Sequence, residues 1–76
     1  MKKKTRKLGE LQFRGCLFEI KEIKDEHEIM VEYQLIMRWR EYSSDGWISN
    51  RQKLIGKYNY LTEAMDRLNE IVKINS

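Results

Sequence analysis

Residues 29–39 alternate: Ile29, Val31, Tyr33, Leu35, Met37 and Trp39 are apolar, and Met30, Glu32, Gln34, Ile36 and Arg38 lie between them. A period of two over eleven residues predicts a β-strand with one face on a core. Neighbouring strands must match that face, so the alternation constrains everything around it. Upstream, Leu11 and Phe13 are odd-numbered, whereas Cys16, Phe18 and Ile20 are even. Gly15 sits where the parity changes, which suggests a β-bulge or kink inside one strand over residues 11–23. A polar turn at residues 24–27 leads into a second strand, residues 28–42. Asp45-Gly46 is a hairpin signal, and a third strand follows over residues 47–58.

The period then changes. Leu61, Ala64, Met65, Leu68, Ile71 and Val72 form one stripe of an amphipathic helix. Glu63 and Asp66 near its start and Lys73 near its end suit the helix dipole. Tyr60 or Thr62 serves as its cap. The expected fold is therefore α+β: a three-stranded antiparallel β-meander with one C-terminal α-helix packed on one face, through Leu61, Met65, Leu68 and Val72. Seventy-six residues make a single domain. Residues 1–9 are expected to be a flexible basic tail, and residues 10–76 the β-β-β-α body.

The formal charge of +3 is uneven. Of fifteen Lys and Arg, five (Lys2, Lys3, Lys4, Arg6 and Lys7) lie in the first seven residues with no acid among them. The remaining ten face twelve Asp and Glu, so the excess positive charge belongs to the N-terminus. Such a segment suits phosphate contact.

Register arguments sort the remaining charges. A two-residue turn at Asp25-Glu26 pairs Cys16 with Leu35, Phe18 with Tyr33 and Ile20 with Val31, all apolar. A two-residue turn at Asp45-Gly46 pairs Met37 with Leu54. On the opposite face it sets Arg40 against Arg51, Arg38 against Lys53, Ile36 against Ile55 and Tyr42 against Ser49, with Phe13 beside Arg38. An even-length turn keeps these faces and an odd one breaks them. Like charges facing each other are unfavourable by up to roughly 1 kcal/mol, which points to an anion, phosphate above all, met by Arg38, Arg40, Arg51 and Lys53. Tyr42, Trp47 and Phe13 are placed for stacking. The other end of that face is acidic, with Glu19 opposite Glu32 and Glu22, Asp25, Glu26 and Glu28 nearby.

Catalytic chemistry is not expected. One His (His27) and one Cys (Cys16) do not make a zinc site. Cys16 falls on the core face, and no base is placed to activate Ser43 or Ser44. The glycines form no phosphate-cradling loop, and neither a cofactor nor a metal is implied. A lone cysteine argues against a disulfide-stapled secreted domain. No apolar run approaches the roughly 20 residues of a membrane span, and no signal peptide is evident. A cytoplasmic location with no membrane partner is expected.

Residues 58–68, Tyr-Asn-Tyr-Leu-Thr-Glu-Ala-Met-Asp-Arg-Leu, resemble the end of many small phage and mobile-element proteins, where strands lead into a helix of the form aromatic-x-S/T-L-x-E-A-x-x-x-L. Tyr60 departs from that pattern at the cap. The architecture is also similar to the arm-type DNA-binding domains of some integrases, which lay a sheet in the major groove. That resemblance implies Arg38, Arg40, Arg51 and Lys53 as groove-facing residues. The leading expectation is thus a non-enzymatic nucleic-acid-binding protein. The alternative is a protein-interaction module, such as a phage-encoded inhibitor of a host or defence enzyme, with Met30, Ile36 and Ile55 exposed for a partner. A sheet edge open to a second copy is part of that alternative.

Overall fold

The computed structural model describes residues 3–27 and 29–74. They form one antiparallel sheet of four strands in the order β1 (Lys4–Phe13), β2 (Cys16–Lys24), β3 (Val31–Tyr42) and β4 (Ile48–Tyr58), followed by helix α1 (Leu61–Ile74). The α+β class holds, but the three-stranded meander is corrected to four strands. The expected first strand is a hairpin. Arg14 and Gly15 form its two-residue turn, with φ of 52° and 78°, the positive values that type I′ turns require. Phe13 pairs with Cys16, so an odd and an even residue share a face. The parity change at Gly15 is this turn, not a bulge. Arg rarely takes a left-handed conformation, so Arg14-Gly15 lacks the usual Asn-Gly or Asp-Gly signature. The Arg14 guanidinium lies 5.4 Å from the centre of the Phe13 ring.

Because β1 starts at Lys4, residues 4–9 belong to the sheet rather than to a tail. Its bases meet acids: Arg6 Nη2 lies 3.3 Å from Glu22 Oε1, an oxygen that Lys24 of β2 also approaches at 3.6 Å, and Lys7 Nζ lies 2.9 Å from Glu10 Oε2. A register shift between Lys7 and Gly9 leaves Leu8 unpaired in the ladder, and Leu8 packs against the core.

The β2–β3 connection spans six residues, not two. Asp25 organises it: its Oδ1 accepts the Ile29 N–H at 2.9 Å, and its N–H donates to the Met30 carbonyl at 3.1 Å. The expected pairs are displaced by four residues, to Ile20–Leu35 and Phe18–Met37. Four is even, so the faces survive. Ile29 and Met30, 79% and 74% exposed, are loop residues despite their place in the alternation.

Phe18, Ile20, Leu35 and Ala64 form the buried core, with Leu35 and Ala64 fully inaccessible. The helix lies over β2, β3 and β4. Leu61, Leu68 and Ile71 pack onto the core, and the small Ala64 lets the helix approach the sheet. Met65, expected in that contact, is half-exposed beside β1. Tyr60 is the cap: its carbonyl accepts the N–H groups of Glu63 and Ala64 at 3.2 and 3.4 Å.

Candidate nucleic-acid interface

The β3–β4 loop decides where the cations go. Residues 43–47 form a five-residue loop. Ser43 Oγ accepts the Trp47 N–H at 3.1 Å, and the Ser43 N–H donates to the Trp47 carbonyl at 3.0 Å. The Gly46 N–H donates to the Ser43 carbonyl at 3.1 Å, with φ of 87° at Gly46. Asp45-Gly46 is therefore part of a longer loop rather than a two-residue turn. Five is odd, so the faces of β4 next to the loop are inverted from the expected ones.

The expected pairs Arg40–Arg51, Arg38–Lys53, Ile36–Ile55 and Tyr42–Ser49 are replaced by Arg40–Asn50, Arg38–Gln52, Ile36–Leu54 and Tyr42–Ile48. Cross-strand partners share a face. Arg38 and Arg40 thus project from the open face, together with Gln52 and Asn50. Arg51 and Lys53 project from the helix-bearing face, opposite Trp39 and Met37. The single four-cation patch becomes two pairs of cations on opposite sides of one hairpin. Phe13 lies on the helix-bearing side and does not neighbour Arg38.

The open face is polar and recessed. Gln12, Arg38, Arg40, Asn50 and Gln52 line a cleft of about 970 Å³ that Gly15 of the β1–β2 turn borders. Trp39 and Arg51, whose rung belongs to the helix-bearing face, also contribute to its lining. Beside it, Glu19 is buried at 5% exposure, opposite Ile36 rather than Glu32. Arg38 Nη2 lies 3.5 Å from Glu19 Oε2, while Arg38 Nε is buried with no hydrogen-bond partner. A buried carboxylate needs a compensating cation, and Arg38 supplies it while its side chain stays 41% exposed. The expected acidic end is thereby broken up, since Glu19 and Glu22 each carry a basic partner. Glu28 lies outside the described residues.

On the other side of the hairpin, Glu41 accepts from Trp39 Nε1 and from Arg51 Nε, both at 3.2 Å. At the tip, Tyr42, Trp47 and Ile48 are 71%, 74% and 56% exposed. Of the N-terminal bases, Lys4 and Arg6 project on the helix side and Lys7 on the open side. Lys3 is exposed, and Lys2 lies outside the described residues. The side-chain hydrogen bond from Lys7 to Glu10 raises the Lys7 pKa above its ordinary value, so its ammonium stays charged across the neutral range.

Sequence reasoning missed Gln12, Asn50 and Gln52 as companions of the arginines, and Glu19 as the buried partner of Arg38. The signal for Asn50 and Gln52 is their spacing of two along β4, but assigning them a face needs the loop length. Among the described residues, no cluster of His, Cys, Asp and Glu is suited to hold a metal ion. No helix among them is long and apolar enough to cross a membrane. The chain matches no protein-family model, no curated protein and no solved structure.

Proposed function

We propose that this protein is a non-enzymatic nucleic-acid-binding module. One observation carries the reading: the β3–β4 hairpin bears Arg38 and Arg40 on one side and Arg51 and Lys53 on the other. Their neighbours are the side-chain types that contact bases. Asn and Gln form paired hydrogen bonds to base edges, Arg suits both guanine and phosphate, and Tyr42 offers a stacking surface. Lys3 and Lys7 add cations at the N-terminal end. The chain-end resemblance to phage and mobile-element proteins is compatible with this role. Fluorescence anisotropy with labelled DNA and RNA at about 50 mM salt tests it, with affinity expected to fall steeply as salt is raised. Absence of binding to any nucleic acid at that salt refutes it.

A second reading, a protein-interaction module, has support on other residues than expected: Met30 is exposed, but Ile36 is buried at 8% exposure and Ile55 packs on the core. Leu8, Leu11, Ile20, Leu61, Met65 and Leu68 line an apolar groove of about 250 Å³ between β1 and α1, and Leu11 and Met65 are 40% and 48% exposed. β1 and β4 are both edge strands, which are open to pairing with a partner or a second copy. Pull-down from a host lysate with and without nuclease separates the two readings. Nuclease-resistant capture of one protein favours the second.

A further inference from the structure

We infer that the β3–β4 hairpin enters the major groove of duplex DNA tip first, with one face toward each phosphate wall. The inference rests on the nucleic-acid reading above and specifies its ligand and docking geometry. A sheet lying flat on a duplex uses the cations of one face and leaves the others in water. Here the cations are divided between the two faces at the same level of the hairpin. Arg38 and Arg40 stand on the open side, and Arg51 and Lys53 on the helix side, across the consecutive rungs Met37–Lys53, Arg38–Gln52, Trp39–Arg51 and Arg40–Asn50. A two-sided distribution matches a slot with negative walls on both sides.

The dimensions agree. The last rung that β2 shares with β3 is Leu17–Arg38, so four β3–β4 rungs, from Trp39–Arg51 to Tyr42–Ile48, continue past it. At about 3.3 Å per residue this part of the ribbon is roughly 13 Å long. Its root is flanked by Cys16 and Gly15 at the end of the β1–β2 hairpin. With side chains a single sheet layer is roughly 10 Å thick. The major groove of B-form DNA is about 12 Å wide and 8.5 Å deep and admits a two-stranded ribbon. The order of residues along the ribbon follows the groove. The cations occupy the root and lower rungs, where phosphates line the rim. Asn50 shares the rung of Arg40, and Tyr42 lies two rungs further out, toward the base edges. Two of the four cations are already paired, Arg51 with Glu41 and Arg38 with buried Glu19, so the fit rests chiefly on Arg40 on the open side and Lys53 on the helix side. Asp45 sits in the tip loop, where amino groups of cytosine present donors. The major groove of A-form RNA is too deep and narrow for side chains to read, so the geometry selects DNA over RNA.

The test measures binding of the full chain to a 20-base-pair DNA duplex, the same sequence as an RNA duplex, and single-stranded DNA, by fluorescence anisotropy across a salt series. Arg40→Ala and Lys53→Ala remove one cation from each face, and circular dichroism checks that both variants fold. Each is expected to reduce the slope of log K against log salt by about 0.9 on duplex DNA. Each then lowers the salt sensitivity between 50 and 200 mM by about 3.5-fold. Duplex RNA and single-stranded DNA are expected to bind at least tenfold more weakly. A slope change in only one of the two variants overturns tip-first insertion in favour of a flat-lying face, while leaving nucleic-acid binding intact. Equal affinity for duplex RNA overturns it too. Failure to bind any of the three probes at 50 mM salt removes the underlying reading as well.

Discussion

Leu35→Ala tests the core assignment most directly. Leu35 is fully inaccessible at the centre of β3, in the cluster of Phe18, Ile20 and Ala64. Truncating a buried Leu to Ala costs about 2–5 kcal/mol, and the sites least able to collapse lie at the upper end. Leu35 is held between paired strands and an overlying helix, so about 3 kcal/mol is the expected cost. A domain of this length has a total stability of roughly 4–11 kcal/mol. At about 4–8 °C per kcal/mol, the melting temperature should fall by roughly 12–24 °C. Ile29→Ala is the control. Ile29 belongs to the same sequence alternation, but it is 79% exposed in the β2–β3 loop, so its truncation should stay within about 0.5 kcal/mol. Urea and thermal denaturation followed by circular dichroism give both values. A loss below about 1 kcal/mol for Leu35→Ala refutes the packing argument, and so does a comparable loss for Ile29→Ala.

A Cβ at Gly56 would lie 2.5 Å from Tyr58 Oη and 2.8 Å from Cζ, so Gly56→Ala must displace that ring, at a cost of about 1–3 kcal/mol. In a Tyr58→Ala background the same change should cost much less, which a double-mutant cycle in urea measures. Gly15→Ala places a side chain at φ of 78° and should cost about 1–2 kcal/mol. Nothing within 4 Å opposes the added methyl, so a thermal melt reads the backbone term alone. Arg38→Ala strands the buried Glu19 carboxylate and should destabilise the fold by about 1–3 kcal/mol, below the full buried-pair cost because Arg38 is 41% exposed. Replacing both residues with Met should restore most of that stability; a double variant as unstable as Arg38→Ala shows that Glu19 is not the cause.

How far the fold could be read from the sequence follows from what periodicity carries. Alternation sorts faces within a strand, and those assignments agree with the structure: Phe18 and Ile20 on β2 and Leu35 on β3 enter the core. The helical stripe likewise located α1. Periodicity does not carry loop length, and face assignments pass between strands only through loop parity. The two-residue turn at Arg14-Gly15 hid in an unusual pair of turn residues, so two strands read as one. The six-residue β2–β3 loop changed the pairing by an even number and harmed nothing. The five-residue loop at residues 43–47 changed it by an odd number and divided the arginines.

That inversion does not extend along the whole of β4, and the reason lies in the adjacent apolar residues Leu54 and Ile55. The register shifts there, from Ile36–Leu54 to Leu35–Gly56, and leaves Ile55 as the extra residue that packs on the core. Without this bulge the odd loop would turn Gly56 and Tyr58 to the open face and leave α1 without the aromatic surface it covers. With it, β4 changes phase once along its length. The half next to the helix pairs Tyr33 with Tyr58 and serves the core. The half next to the loop keeps the inverted phase and holds Arg51 and Lys53 on the side opposite Arg38 and Arg40. One inserted residue thus lets a single strand meet the demands of a one-sided core and of a ribbon charged on both faces.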